Sequence, residues 1–165
     1  MGILIVYSSR TGNTEQVARA IAEAIPGSRV YSVGAAPRPG QGDIVFVGFW
    51  VYRGKPDEAT AGWLQGLAGC QIALLGTLAA WPDSEHAARC RARAETLVLE
   101  PERGNTLLGS FLCQGRVNGT PHHPTTPERR ARLDEAAKHP NEADFACARA
   151  FALDTLARLT RSQPE

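Results

Sequence analysis

A hydroxyl-rich segment lies between an apolar run at residues 2–7 and a helical pattern, and its residue types suit the binding of an anion. It consists of Ser9, Arg10, Thr11, Gly12, Asn13 and Thr14. A helix N-terminus offers free backbone N–H groups and the positive end of the helix dipole. The hydroxyls of Ser9, Thr11 and Thr14 would add donors, and Gly12 would let the backbone approach a ligand closely. We interpret the segment as a phosphate cradle that uses no metal; an ordinary capped strand-to-helix turn is the alternative.

Two common nucleotide-binding motifs are excluded by the same residues. A nucleoside-triphosphate loop requires a Lys followed by Ser or Thr after its glycines, and this segment contains no Lys. A dinucleotide fingerprint requires three spaced glycines, and only Gly12 is present. The pattern therefore favours a single terminal phosphate.

Size and composition bound the function. The 165 residues predict a single domain, 1–165, with 43% hydrophobic residues, 21% charged residues and a net charge of +1. Near-neutral charge argues against nucleic-acid binding, and no apolar run approaches the ~20 residues of a membrane span. No signal sequence is recognisable, so we expect a cytoplasmic protein. The four cysteines form no C-x-x-C pair, which predicts free, mostly buried thiols and no metal site.

Strand and helix patterns alternate along the chain. The periodicity predicts strands at 2–7, 29–33, 43–49, 70–77 and 105–113. It predicts helices at 13–25, 57–67, 83–96, 126–137 and 141–159. Such alternation indicates a parallel sheet with helices on both faces, whose ligands bind beyond the carboxyl ends of the strands. The phosphate cradle and the loops at 49–56, 77–83 and 114–126 would therefore share one rim.

Three aromatic residues, Trp50, Tyr52 and Trp81, fall on the loops of that rim. Large aromatic side chains are normally buried, and a flat π-system would stack favourably on them. A phosphate site beside these aromatics indicates a ligand with a phosphate tail and a planar ring. The alternative is that the aromatics only pack the loops against the core.

The segment from Ser9 to Thr14 matches the Ser/Thr-x-Thr-Gly-x-Thr phosphate loop of the flavodoxin family. The strand pattern, the aromatic loop with Trp50 and Gly54, and Gly76-Thr77 also resemble that family. The resemblance covers nearly the whole chain. It implies an α/β flavodoxin-like three-layer sandwich, with a five-stranded parallel sheet of order 2-1-3-4-5 and helices on both faces. It also implies one non-covalently bound FMN.

Carried over onto this sequence, the resemblance assigns the cofactor contacts to three segments. The phosphate would be held by Ser9, Arg10, Thr11, Gly12, Asn13 and Thr14. One side of the flavin ring would be lined by Phe49, Trp50, Val51, Tyr52, Arg53 and Gly54, and the other by Thr77, Leu78, Ala79 and Trp81. A backbone group between Val51 and Gly54 would approach ring N5, where Gly54 could permit a peptide flip.

The loop after the third strand departs from the acidic character of many flavodoxins, because it carries Arg53 and Lys55. A positive charge near the ring would stabilise the anionic reduced flavin. A stabilisation of ~1 kcal/mol corresponds to roughly 40 mV for one electron, so we expect a less negative low-potential couple. Alternatively, these cations face solvent or pair with Asp57 and Glu58.

The segment 114–140 is the second departure, since it is unusually long and leaves the fifth strand at the flavin rim. It could be a lid, a partner-docking surface or a plain solvated loop. His122 and His123 could transfer protons or bind a metal. The basic cluster from Arg129 to Arg132 could meet an acidic partner or form a solvated helix face.

The resemblance favours an FMN electron carrier that shuttles electrons between a reductase and an acceptor enzyme. No acid–base pair, nucleophile or metal site stands out, so no catalytic residue is assigned. For a carrier of this kind we expect a monomer more than a dimer. The alternative is an enzyme of the same fold, an NAD(P)H-dependent FMN quinone or azo reductase. A third possibility is a binding or scaffold module that does not use the flavin in turnover.

Overall fold

A computed structural model describes residues 2–119 and 125–161 and shows a central parallel sheet. Its strands are β1 (Ile3–Tyr7), β2 (Arg29–Ser32), β3 (Ile44–Tyr52), β4 (Lys55–Pro56), β5 (Gln71–Leu78) and β6 (Thr106–Gln114). The parallel strands are ordered β2-β1-β3-β5-β6, and the short β4 pairs antiparallel with β3. With β4 set aside, this is the predicted order 2-1-3-4-5, and the predicted fold class is confirmed.

Helices cover both faces of the sheet. They are α1 (Asn13–Ala24), α2 (Glu58–Leu64), α3 (Glu85–Val98), α4 (Pro127–Ala136) and α5 (Glu142–Arg161). A 3₁₀ turn at Pro101–Arg103 lies between α3 and β6. Side chains of α1 and α5 share one apolar cluster, and side chains of α2 and α3 share the other. None of the helices in 2–119 and 125–161 is long and apolar enough to cross a membrane.

The central strands are apolar on both sides because both sides are covered. Along β1, Leu4 and Val6 join the cluster under α2 and α3, whereas Ile5 joins the cluster under α1 and α5. Along β3, Val45 joins the cluster under α2 and α3, and Phe46 joins the cluster under α1 and α5. This alternation follows from the two-residue period of a strand, and it explains why both runs contain almost no polar residue.

The chain after Phe49 is a hairpin, so the loop expected at 49–56 is wrong in its first part. β3 continues to Tyr52, turns at Arg53 and Gly54, and returns as β4, with Tyr52 opposite Lys55. The φ values are 51° at Arg53 and 76° at Gly54, and positive φ at both turn residues is typical of a two-residue type I′ hairpin. For Arg53 that conformation costs about 1 kcal/mol. The hairpin extends β3 past the end of the sheet.

Gly48 allows the first turn of α1 to lie close against β3. A Cβ atom at Gly48 would lie 2.9 Å from Cγ2 of Thr14 and 3.1 Å from Cβ of Tyr7. Thr14 is buried there, and its Oγ1 shares a hydrogen bond of 2.8 Å with Oγ1 of Thr77 at the end of β5. These contacts fix the start of α1 relative to two neighbouring strands.

The cysteines are free thiols, as predicted. Cys70, Cys90 and Cys113 are buried, and Cys147 is exposed on α5. Within the described part of the chain, no three His, Cys, Asp or Glu side chains are grouped so that they could hold a metal ion.

Candidate functional site

A cavity of about 500 Å³ opens at the carboxyl edge of the sheet. Its walls come from the loops after β1, β5 and β6 and from the last part of β3, which are the four segments that the sequence placed on one rim. Its lining consists of Arg10, Thr11, Asn13, Trp50, Val51, Thr77, Leu78, Ala79, Gly115, Arg116, Val117 and Asn118. A volume of this size is in the range of small-molecule and cofactor sites.

The N-terminus of α1 lies at this cavity and has no side-chain cap. Its N-cap residue is Gly12, at φ 89°, and the first intrahelical bond runs from Gln16 N to the Gly12 carbonyl at 3.1 Å. The N–H groups before that bond therefore have no partner within the helix. By contrast α2, α3, α4 and α5 are capped by the side chains of Asp57, Ser84, Thr126 and Asn141. The exception among these helices is the one whose N-terminus borders the cavity.

Asn13 joins the phosphate cradle to the loop after β6. Its Nδ2 donates to the Arg116 carbonyl at 2.9 Å, and a Cβ at Gly115 would lie only 2.5 Å from the same nitrogen. Asn13 is 7% exposed, yet its Oδ1 is buried without a hydrogen-bond partner. A buried acceptor of this kind normally has a donor, so the Asn13 Oδ1 is an unsatisfied polar atom beneath the surface of the cavity.

Arg116, next to Asn13 in the lining, is held by the junction between α4 and α5. Its backbone N and its Nε donate to the His139 carbonyl at 2.9 and 3.3 Å. The His139 ring lies between Asp144, at 2.6 Å from Nδ1, and Glu135, at 3.2 Å from Nε2. Burial alone would lower the pKa of His139, but the hydrogen bonds to these two carboxylates outweigh it and raise that pKa above the usual 6.5.

Trp50 supplies the flat part of the wall. It is half-buried, its ring centroid lies 5.5 Å from that of Tyr52, and the Arg10 guanidinium lies 5.7 Å from the Trp50 centroid. The Trp50 backbone N donates to Oδ2 of buried Asp57 at 3.3 Å. Because the Asp57 carboxylate also caps α2 and bonds to Thr60 Oγ1, the backbone at Trp50 is tied to the start of that helix.

The hairpin after Trp50 is anchored to α3. Nη1 of Arg93 donates to the Gly54 carbonyl at 2.7 Å, so in this structure that carbonyl is already bonded. Arg53 lies with its guanidinium 5.2 Å from the centre of the Tyr52 ring, and Lys55 is exposed. Within the described residues neither cation pairs with Asp57 or Glu58, and Arg53 lies outside the cavity lining.

The predicted site residues divide into two groups. Those that line the cavity are Arg10, Thr11, Asn13, Trp50, Val51, Thr77, Leu78 and Ala79. Those outside the lining are Ser9, Gly12 and Thr14, which shape the cradle; Phe49, in the core; Tyr52, Arg53 and Gly54, on the hairpin; and Trp81, which is 42% exposed. The sequence thus located the rim but could not separate the lining from its supports.

Sequence reasoning missed one wall, formed by Gly115, Arg116, Val117 and Asn118. The segment had been placed on the rim, but no ligand contact was assigned to it. The available signal was its position directly after the fifth strand, together with the cationic Arg116. His122 and His123 lie outside the described residues.

A parallel sheet of this order, with a cavity where an uncapped first helix meets the ends of the central strands, defines the flavodoxin-like class of α/β proteins. The chain belongs to the flavodoxin domain family, because the model of that family, described as "Flavodoxin domain", matches residues 4–153.

Individual relatives agree with this assignment. The chain is 28% identical to the flavodoxin-like domain-containing protein BilS of Clostridioides difficile (strain CD3), over 92% of this chain and 94% of that protein. In fold it is similar to oxidised Flavodoxin 2 from Bacillus cereus, with a TM-score of 0.60 and 18% identity over 96% and 99% of the two chains. It is also similar to a flavoprotein in complex with FMN from Lactobacillus acidophilus, with a TM-score of 0.50 and 16% identity over 67% and 92%.

Proposed function

We propose that this protein binds FMN in the cavity and carries electrons between a reductase and an acceptor enzyme. The observation that carries the proposal is the uncapped N-terminus of α1 at the cavity, beside the ring of Trp50. The fold of the FMN-bound flavoprotein from Lactobacillus acidophilus supports the choice of cofactor.

The residues present fit the chemical parts of FMN. The free N–H groups of α1 and the Thr11 hydroxyl suit a phosphate, and Arg10 and Arg116 add positive charge to the lining. Asn13 and Asn118 are lining residues whose amide groups suit the ribityl hydroxyls. Trp50, Val51 and Leu78 form an apolar surface for a planar ring.

Bound FMN would supply the redox chemistry, and the chain would bind and orient it and limit the access of water. In the described part of the chain, the cavity lining contains no His, Asp, Glu, Cys, Lys or Tyr side chain. These are the usual general acids and bases of enzymes, so the lining favours electron carriage over catalysis on a bound substrate.

A titration with FMN and riboflavin tests the binding part of the proposal. FMN should bind at least about 100-fold more tightly than riboflavin, because only FMN has a phosphate for the α1 N-terminus. Thr11→Ala should reduce this ratio several-fold, whereas Glu23→Gln, at an exposed residue in the last turn of the same helix, should leave it unchanged. Equal affinities for the two flavins would contradict a phosphate site at α1.

An anaerobic reductive titration then separates a carrier from an enzyme. A carrier should accept electrons from a chemical reductant in two one-electron steps and should not react directly with NADPH. Direct two-electron reduction by NADPH would reject the carrier and support the NAD(P)H-dependent reductase. A chain that binds no flavin would instead support the binding or scaffold module.

A further inference from the structure

The β3–β4 hairpin displays positive charge beside the cavity. Arg53 and Lys55 are both exposed at its turn, and in the parts of the chain that the structure describes neither forms an ion pair. Arg53 is held over the ring of Tyr52, which is itself 37% exposed. The hairpin thus presents two cations and an aromatic ring to solvent.

Helix α3 extends this positive surface. Arg93 is exposed and reaches the hairpin through its bond to the Gly54 carbonyl at 2.7 Å. Arg89 lies one turn away on the same face of α3. Its ion pair with Glu85 is long, at 3.7 Å, and its side chain is 62% exposed, so the pair is weak and leaves the guanidinium accessible.

Exposed carboxylates offset these cations only in part. Asp57, the nearest acid along the chain, is 2% exposed and turned inward to the Trp50 and Thr60 backbone. The exposed carboxylates nearby are Glu58, Asp83 and Glu85, against the exposed cations Arg53, Lys55, Arg89 and Arg93. Arg10 and Arg116 of the cavity lining are also exposed and add to the surplus of positive charge. Because the whole chain has a net charge of only +1, this surplus is a directional feature of one side of the molecule.

Exposed apolar side chains surround the same end of the molecule. Of the large hydrophobic residues that are exposed in the described chain, Tyr52 ends β3, and Trp81 and Val117 follow β5 and β6, at the carboxyl edge of the sheet. Tyr, Trp and Arg are the residue types that dominate the energetics of protein–protein interfaces. The combination of aromatics and arginines indicates a protein partner more than a nucleic acid or a lipid.

We propose that the surface formed by Tyr52, Arg53, Lys55, Arg89 and Arg93, here called the basic face, docks an acidic surface on the redox partner. Docking there would bring the partner against the mouth of the cavity, where the cofactor would be held. The inference rests on the proposed function for the identity of the partner as a redox protein. The sign of the charge comes from the hairpin and α3 themselves.

The salt dependence of electron transfer tests this docking. The FMN-loaded, photoreduced protein is mixed in a stopped-flow instrument with cytochrome b5, whose haem edge is acidic, or with cytochrome c, whose haem edge is basic. With the acidic cytochrome the bimolecular rate constant should fall roughly tenfold between low salt and high salt, and with the basic one it should rise. The sign of each slope is compared, so differences in driving force between the acceptors do not matter.

Charge reversal localises the effect. Arg53→Glu/Lys55→Glu should invert both salt slopes, and Arg53→Gln/Lys55→Gln should flatten them. The matched control is Arg161→Glu, an exposed residue at the C-terminal end of α5, which lies at the opposite end of the sheet because Arg158 bonds to the Leu108 carbonyl near the start of β6. If the control changes the slopes as much as the hairpin variant does, the basic face is not the docking site.

A binding measurement separates failure of docking from failure of the proposed function. NMR chemical shifts of the backbone amides are recorded during a titration with cytochrome b5, once for the flavin-free chain and once for the chain loaded with oxidised FMN. Shifts at the hairpin and α3 in the flavin-free chain would support docking even if FMN were not retained. Shifts spread over the whole surface, or stronger binding to vesicles containing phosphatidylserine than to the cytochrome, would overturn the proposal.

Discussion

Arg93 illustrates how one side chain can fix a functional element from outside the site. It lies on α3 and holds the hairpin by the carbonyl of Gly54, and among the described residues it forms no hydrogen bond with the cavity lining. The turn it holds includes Arg53 in a left-handed conformation that L-residues adopt at a cost. The bond also competes with any rotation of the Gly54 peptide toward a ligand, so the flip considered from the sequence would require Arg93 to release this carbonyl.

Replacing Arg93 by Ala should lower the free energy of unfolding by about 1 kcal/mol, because a charge-assisted hydrogen bond is lost and a carbonyl is left without its donor. Urea denaturation measures the loss, and hydrogen exchange should show faster exchange at hairpin amides. Arg89→Ala removes a cation of the same helix whose only ion pair is long and exposed, and it should cost less than about 0.5 kcal/mol. Equal losses in the two variants would show that the Gly54 contact is not stabilising.

At the scale of elements, the site depends on contacts between parts that are distant in the chain. Thr14 on α1 and Thr77 on β5 share a buried hydrogen bond although they are 63 residues apart. His139 links α4 and α5 through carboxylates on both helices and orients Arg116 by its carbonyl. Each contact fixes the position of one element relative to the cavity wall.

A double-mutant cycle should reveal the coupling between Thr14 and Thr77. Thr14→Val keeps the shape of the side chain but leaves the buried Thr77 hydroxyl unpaired, which should cost about 1–3 kcal/mol. Adding Thr77→Val removes the unpaired group, so the double variant should be destabilised by less than the sum of the single variants. Strict additivity, measured by urea denaturation, would mean that the two hydroxyls do not interact.

The His139 contacts predict a dependence of stability on pH. Because the pKa of His139 is raised in the folded state, its contribution to stability is complete below about pH 6.5 and is lost as the pH rises through the folded pKa. The free energy of unfolding should therefore decrease as the pH rises above about 6.5 and through the folded pKa. His139→Gln should flatten this slope, and an unchanged slope in that variant would contradict the prediction.

The sequence predicted the order of the elements because each has a clear local period. It did not predict the hairpin, since Arg53-Gly54 lacks the Asn or Asp that usually marks a type I′ turn. It also missed the wall at 115–118, because the contact that builds it, from Asn13 to Arg116, spans 103 residues and leaves no local pattern. Residues 9–14 stand out by their types, and that they bind a phosphate stays a prediction, whereas their division into lining and support depends on side-chain direction.

At the scale of the whole molecule, burial determines which thiols can react. In the native protein a disulfide reagent such as DTNB should modify one thiol quickly, Cys147, and all four only after denaturation. Burial raises the pKa of the Cys113 thiol far above its usual range, and burial also raises the pKa values of Cys70 and Cys90. Cys147→Ser should abolish the fast phase; a fast phase that persists would show that a buried thiol is transiently accessible.

The four walls of the cavity come from residues near 10, 50, 77 and 116, which lie at or just after the carboxyl ends of four different strands of one sheet. These residues are far apart in the chain, so the binding site exists only when those strands have paired. Folding and binding are thereby thermodynamically linked: a ligand at 100 times its dissociation constant would add roughly 2.7 kcal/mol to the stability of the entire domain. In a cell, the concentration of free ligand would then help to set the fraction of the chain that is folded and protected from proteolysis.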